Sequence, residues 1–171
     1  MAMAKTNIEK QIADHVISNK EGYYRLAYSY VRNADDALDI VQESIFKALS
    51  SISSLKEPRY IKTWFYTIVV NTSLDLLRKR KKLVVIEEET LCSLDFGDVD
   101  HYQDIDLQAA LAALPDNHRS IVILKYFEDL KIEEIAEILN ENVNTVKTRL
   151  YKSLKALRIK IEEVWIWKIE T

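Results

Sequence analysis

The sequence predicts an all-α protein of two small helical domains joined by a flexible acidic linker, the second domain containing a helix-turn-helix. Three observations predict it. Gly and Pro occur only twice each in 171 residues, too few for the tight turns of a β-sandwich or barrel. Apolar residues recur every three or four positions in both halves, the period of a helix with one buried face. Between Lys81 and Asp106 that periodicity stops. An irregular stretch of ~20–25 residues is long for a connection inside one compact domain.

Composition narrows the class further. The chain is 48% hydrophobic and 30% charged, which suits a folded, charge-rich, soluble protein. Cys92 is the one cysteine, so no intramolecular disulfide and no Cys-rich metal site is expected, and a reducing cytoplasm fits. The start, MAMAKTNIEKQIADHV, has no long apolar core and no signal peptide is expected. No apolar run approaches the ~20 residues that span a bilayer, so no membrane insertion is expected.

The elements follow in order. YYRLAYSYV is helical, and NADD after it starts a new helix, with Asn33 or Asp35 as cap and Asp36 favouring the positive end. In DALDIVQESIFKAL the stripe Leu38, Val41, Ile45 and Leu49 is expected to be buried, leaving Asp39, Gln42, Glu43 and Phe46 on the other side. SSISSLKEP is a break ending in Pro58. A long helix then runs from about Tyr60 to Arg80, burying Ile61, Trp64, Phe65, Ile68, Val69 and Thr72, with Tyr66 and Asn71 more exposed. The piece LVVI at 83–86 opens the linker, or forms a short strand or docking segment. After it, LQAALAAL ends at Pro115, HRSIVILKYFE forms the next helix, and Ile132, Ile135, Ala136 and Leu139 stripe another.

Asn140-Glu141-Asn142 breaks that helix, and the next buries Val143, Val146, Leu150, Leu154 and Leu157. Two helices joined by a turn of three to four residues make a helix-turn-helix. Glycine is usual in the turn, and Asn140 is the next best residue because it tolerates the left-handed conformation.

Charge lies in blocks. Residues 83–118 carry nine acids and no Lys or Arg, although the whole chain is only -3. RKRKK, Arg78 to Lys82, precedes that block, and NTVKTRLYKSLKALRIK, with six basic residues and no acid, follows it. A single charge run is usually a solvated face; two basic runs around an acidic middle point to a nucleic-acid partner. On a wheel centred on Leu150, Val143, Val146, Leu154, Leu157 and Ile161 fall within about 40°. The opposite face presents Asn144, Thr145, Thr148, Lys152 and Lys155, flanked by Lys147, Arg149 and Tyr151. Major-groove readout uses Asn, Thr and Arg for base edges, with Lys for phosphates. Because the N-terminal part of the second helix does the reading, Asn144, Thr145, Thr148 and Arg149 are the base-contact candidates. Lys147, Lys152 and Lys155 suit the backbone.

These motifs resemble those of a bacterial extracytoplasmic-function sigma factor of the sigma-70 family. DALDIVQESIFKAL is similar to the family's polymerase-docking signature. WFYTIVVNTSLDLLRKRKK resembles its promoter-melting and minus-ten helix, and the stretch from Ala113 to Arg158 its minus-thirty-five domain. Leu114-Pro115, EIAEIL at 134–139 and TVKTR at 145–149 carry most of that last match.

The resemblance implies a division into 1–82 (region 2), 83–106 (linker) and 107–171 (region 4). It implies that Asp39, Gln42 and Glu43 face core RNA polymerase. It places Tyr60, Trp64, Tyr66 and Asn71 near flipped minus-ten bases, where aromatic stacking contributes ~1–3 kcal/mol per base. By the wheel, however, Trp64 points into the core. Arg78, Lys79 and Arg80, with Lys81 and Lys82, would track phosphates near the melted region. It further implies promoter DNA and a membrane-linked anti-sigma factor as partners, and no cofactor. The acidic linker, on this reading, suits the polymerase's basic RNA-exit path or keeps the free protein off DNA. At 140, 141, 142 and 144, where the family often has Gly, an apolar residue, Pro and Gly, this chain has Asn, Glu, Asn and Asn.

Two rival readings are a free-standing helix-turn-helix regulator, which leaves the first half without a purpose, and a helical adaptor that binds only proteins. An enzyme fits least. His15, His101 and His118 are scattered without metal-ligand spacing, there is no glycine-rich phosphate loop, and Cys92 has no evident base partner. Trp165 and Trp167 either extend the last helix and pack on the domain or form an exposed docking patch.

Overall fold

The computed structural model describes the backbone of residues 2–86 and 105–169, and the side chains of 6–83 and 107–158. The chain forms two compact units, Met1–Leu91 with Glu137–Asn140, and Cys92–Ala136 with Glu141–Thr171. Among the described residues the regular structure is helical throughout.

The first unit contains α1 (Ala2–Ser18), α2 (Lys20–Val31), α3 (Ala34–Ser50) and α4 (Ile61–Ile86), with 3-10 turns at Ile52–Ser54 and Pro58–Tyr60. Helices α2, α3 and α4 pack on one another, and α1 lies against α4. Asn33 caps α3 as its sequence predicts: the side-chain oxygen accepts from the Asp36 N–H at 3.0 Å, satisfying one of the free donors of the first turn. Tyr23 of α2 is the centre of the core. Its ring meets Phe65 edge-on at 4.5 Å and Tyr66 at 4.7 Å, contacts that contribute ~0.5–1.5 kcal/mol each beyond simple burial. Its hydroxyl lies 2.7 Å from His15 Nε2. Burial, and then the Lys62 charge, hold the His15 imidazole below its ordinary value.

Several expectations fail in this unit. Helix α3 buries Ala37, Ile40, Ser44 and Ala48, not the stripe Leu38, Val41, Ile45 and Leu49. Leu38 is 51% and Leu49 46% exposed, and Val41 and Ile45 are half-buried. The small side chains let α3 approach its neighbours closely, and Ser44 can be buried because its hydroxyl donates to the Ile40 carbonyl at 2.6 Å. The second failure is Tyr66, which is fully buried rather than exposed. The third is Trp64, which is half-buried at the rim and donates its indole N–H to Ser54 Oγ at 3.0 Å. Ile61, Phe65, Val69 and Thr72 are buried as expected, while Ile68 is half-buried. LVVI continues α4 as helix through Ile86, past the end expected at about Arg80, so it forms neither the irregular start of a linker nor a strand.

The second unit contains α5 (Ile105–Ala112), α6 (Asp116–Val122), a π turn at Ile123–Phe127, α7 (Ile132–Leu139) up to Ala136, and α8 (Val143–Ile169). The helix expected over HRSIVILKYFE thus widens into a π turn halfway. Ala110, Leu111, Leu114, Val122 and Leu157 form a core cluster, with Leu150 and Ala156 packed against it. Arg119 is buried at that cluster. Its Nε donates to the Leu111 carbonyl (3.1 Å), and Nη2 donates to the Leu114 carbonyl (2.9 Å) and to Asp116 (2.7 Å). One charged side chain thereby adds a donor to the Leu111 carbonyl, which also accepts from the Leu114 N–H at 3.1 Å, and ties the end of α5 to the start of α6. The backbone of α8 is helical through Ile169, which includes Trp165 and Trp167, whose side chains lie outside the described residues. Residues 87–104, which hold most of the predicted linker, lie outside them too.

Candidate nucleic-acid interface

The turn before α8 is built by its three polar residues. Asn140 takes the left-handed conformation, φ 51°, as its residue type suggests. The Glu141 N–H then donates back to the Ala136 carbonyl at 2.9 Å and the Asn140 N–H to the Glu137 carbonyl at 3.2 Å, the paired closure of a Schellman motif. Asn142 caps the new helix: its Oδ1 accepts from the Asn144 N–H at 2.8 Å, and its carbonyl accepts from the Val146 N–H at 3.0 Å. This chain therefore makes the sharp turn without glycine or proline.

Burial of Val146, Ser153 and Leu157 sets the rotation of α8. Val143 and Leu150 are half-buried, and Leu154, expected inside, is 39% exposed. Ser153 takes the inner place, its hydroxyl donating to the Arg149 carbonyl at 2.7 Å. Asn144, Lys147, Thr148, Tyr151, Lys152 and Lys155 are exposed, and Thr145 and Arg149 half-buried. Arg149 Nη1 lies 2.7 Å from Glu141 Oε1. Asn144, Thr145, Thr148, Arg149 and Lys152 line a shallow cleft of about 380 Å³ together with His118 of α6. Burial first, and then the charges of Arg149 and Lys152, hold the His118 imidazole below its ordinary value. His118 was not among the sequence-derived candidates, and no signal within α8 could have found it, because it reaches the cleft from another helix.

The candidate residues of the first unit fall on two helices. On α3, Asp39, Gln42 and Glu43 are exposed as expected, beside Phe46 at 71%. Glu43 pairs with Lys47 at 3.2 Å, and Lys47 also donates to Thr72 Oγ1 at 3.2 Å. Just before α4, the exposed Tyr60 ring carries the Arg59 guanidinium 4.9 Å from its centre. On α4, Asn71 is exposed, and so is the whole run Arg78 to Lys82. Arg78 pairs with Asp75 at 3.2 Å, and Arg80 with Asp36 of α3. Tyr66 offers no face to a base from its packed position against Tyr23.

A helix-turn-helix with a polar, cationic outer face, in an all-helical chain of two units, defines a DNA-binding protein of the transcriptional class. Comparison with known proteins gives the family. Residues 16–83 match the family described as sigma-70 region 2, and residues 104–157 match sigma-70, region 4. The chain is 57% identical over 150 residues to the RNA polymerase sigma factor SigV of Bacillus subtilis, covering 88% of both chains. It is 31% identical over 182 residues to the ECF RNA polymerase sigma factor SigW of the same organism, covering 94% of both. The sigma factor RpoE of Bartonella quintana, solved in complex with the anti-sigma factor NepR, shares the fold at a TM-score of 0.77, 22% identity and 90% coverage of this chain and 98% of that one. CnrH, solved with the cytosolic domain of CnrY, shares it at 0.67, 18% identity and 95% and 94% coverage. The chain belongs to the extracytoplasmic-function sigma factors of the sigma-70 family. Among the described residues, no helix is long and apolar enough to cross a membrane.

Proposed function

We propose that this chain binds core RNA polymerase and directs it to promoters with a minus-ten and a minus-thirty-five element, performing no catalysis of its own. The observation that carries the reading is the outer face of α8. Asn144, Thr145, Thr148 and Arg149 stand in the first two turns behind a tightly closed helix-turn-helix turn, with Lys147, Lys152 and Lys155 around and after them. Amide, hydroxyl and guanidinium groups at the start of such a helix suit base edges, and the lysines suit phosphates.

Helix α3 supports polymerase docking. Asp39, Gln42 and Glu43 are exposed beside large apolar side chains, a mixed face that suits a protein partner better than solvent. Tyr60, Trp64, Asn71 and the run Arg78 to Lys82 serve the minus-ten strand, the aromatic rings by stacking and the cations along phosphates. Residues 1–82 and 107–171 act as the two promoter-binding domains, and 83–106 joins them. The Bartonella quintana sigma factor solved in complex with the anti-sigma factor NepR supports such a partner here; that the partner is linked to the membrane and holds this factor inactive in the cytoplasm rests on the family resemblance.

Run-off transcription from genomic fragments with core polymerase tests the reading. New start sites that depend on the chain are expected. If none appear while the protein binds duplex DNA tightly by itself, the free-standing regulator is the better account.

A further inference from the structure

Glu141 stands where a reader of DNA has least use for an acid. It lies in the turn immediately before the cap of α8, and its carboxylate carries a negative charge at the edge of a face built to meet phosphates. It is nonetheless held there firmly. Its backbone N–H is bonded to the Ala136 carbonyl at 2.9 Å, and the left-handed Asn140 before it and the Asn142 cap after it leave the chain no freedom to swing. From that fixed point the carboxylate reaches eight residues ahead to Arg149, Oε1 to Nη1 at 2.7 Å. The two side chains are only 24% (Arg149) and 35% (Glu141) exposed.

The contact is made to one nitrogen. A guanidinium presents five N–H donors in a rigid plane, and a carboxylate on Nη1 leaves the opposite edge, Nε and Nη2, as a two-pronged fork. That fork is the geometry that pairs with guanine O6 and N7. Arginine is otherwise a long, rotamer-rich side chain, and ordering it on binding opposes recognition. A partner that already holds it in the cleft removes part of that cost.

We propose that Glu141 is a specificity-determining residue of the minus-thirty-five interface: it buttresses Arg149 so that the free edge of the guanidinium is presented to a guanine. The proposal rests on the reading of α8 as the promoter-recognition helix. The acid has two separate effects. Held arginine gains in discrimination, and a carboxylate near phosphates lowers affinity for every sequence alike.

The test uses holoenzyme reconstituted from core polymerase and the full chain, on a promoter found by run-off and on templates with each upstream base pair substituted in turn. Absence of any chain-dependent start site with the unmodified protein would defeat the sigma reading itself, separately from this inference. Given such a promoter, the unmodified chain should prefer guanine at one upstream position by roughly tenfold or more, the discrimination of a bidentate pair. Glu141→Gln keeps the shape of an exposed turn residue and removes the charge. It should cut that preference by about threefold or more, and raise binding of the holoenzyme to promoterless duplex. Arg149→Ala should abolish the preference, and adding Glu141→Gln to it should change base preference no further. An unchanged or sharpened preference in Glu141→Gln overturns the proposal. So does an equal change in the Arg149→Ala background, which would mean that Glu141 contacts a base itself.

Discussion

The outer faces of α3 and α8 are both exposed helix surfaces, yet they are made of different material. On α3, Phe46 (71%), Leu38 and Leu49 stand out beside Asp39, Gln42 and Glu43. On α8 the outward residues are mostly amides, hydroxyls and cations, with Tyr151 (72%) and Leu154 (39%) between them and Arg149 partly sunk. Apolar groups left in water are stabilised by a dry, shape-matched partner, which a phosphate backbone cannot offer. Fixed cations and rigid hydrogen-bonding groups gain little from such a surface and much from a polyanion. The difference supports the proposed division between the two faces, a protein partner for α3 and nucleic acid for α8.

The comparison can be broken most directly at Phe46. Phe46→Asp should weaken binding to core polymerase by ~2 kcal/mol or more, about 30-fold, as loss of a buried aromatic anchor does. It should leave the melting temperature nearly unchanged, because the ring is exposed. Co-elution and titration with core polymerase measure it, and wild-type affinity would remove α3 from the docking surface. Next comes Arg149→Ala, expected to reduce promoter-specific initiation by ~1–3 kcal/mol while polymerase binding stays intact. A run-off assay with equal normal transcription from the same promoter would remove Arg149 from the reading set.

Within α3 the contrast between inner and outer faces can be sharpened by a pair. Ala37→Leu should destabilise the protein by ~1–3 kcal/mol in denaturant titration, because an extra side chain cannot fit where the helices approach closely. Leu38→Ala, one residue away but half in solvent, should change stability by no more than ~0.5 kcal/mol. On α8, Lys152→Gln and Lys155→Gln should each weaken promoter binding uniformly across sequences, and each should flatten the salt dependence by about one ion.

The smallest effect concerns pH. The His118 imidazole is held below its ordinary value in the folded protein, so the unfolded chain binds the proton more readily. Its contribution to stability is present above the ordinary imidazole range and is lost as the pH falls through that range. His118→Gln should therefore lose slightly less stability than the natural chain between pH 7 and pH 5, read as melting temperature. An equal or greater loss would contradict the direction of the shift.

Much of this was legible from the residues themselves. Asn33 and Asn140 act locally, through a cap and a left-handed turn, and both stand where their chemistry puts them. The all-helical class and the place of the helix-turn-helix follow from periodicity and spacing, which are local as well. The phase of α3 was not legible. A wheel ranks residues by hydrophobicity, whereas beside Ile40 the buried residues of α3 are Ala37, Ser44 and Ala48, whose merit is small size against two neighbouring helices. Tyr66 is misplaced for a related reason: its partner Tyr23 lies 43 residues earlier in the numbering, and no pattern within α4 announces a ring packed against it from α2. The Arg149–Glu141 pair and His118 beside the cleft likewise depend on how the chain folds back, through the turn in one case and from α6 in the other.

The measurement that bears most directly on the central claim is run-off transcription from genomic fragments, with core polymerase alone, with the natural chain, and with Phe46→Asp and Arg149→Ala. The account predicts new start sites with the natural chain, their loss with Phe46→Asp through failure to bind polymerase, and their loss with Arg149→Ala while polymerase binding is retained. No chain-dependent start sites, or both variants failing at the same step, would contradict it.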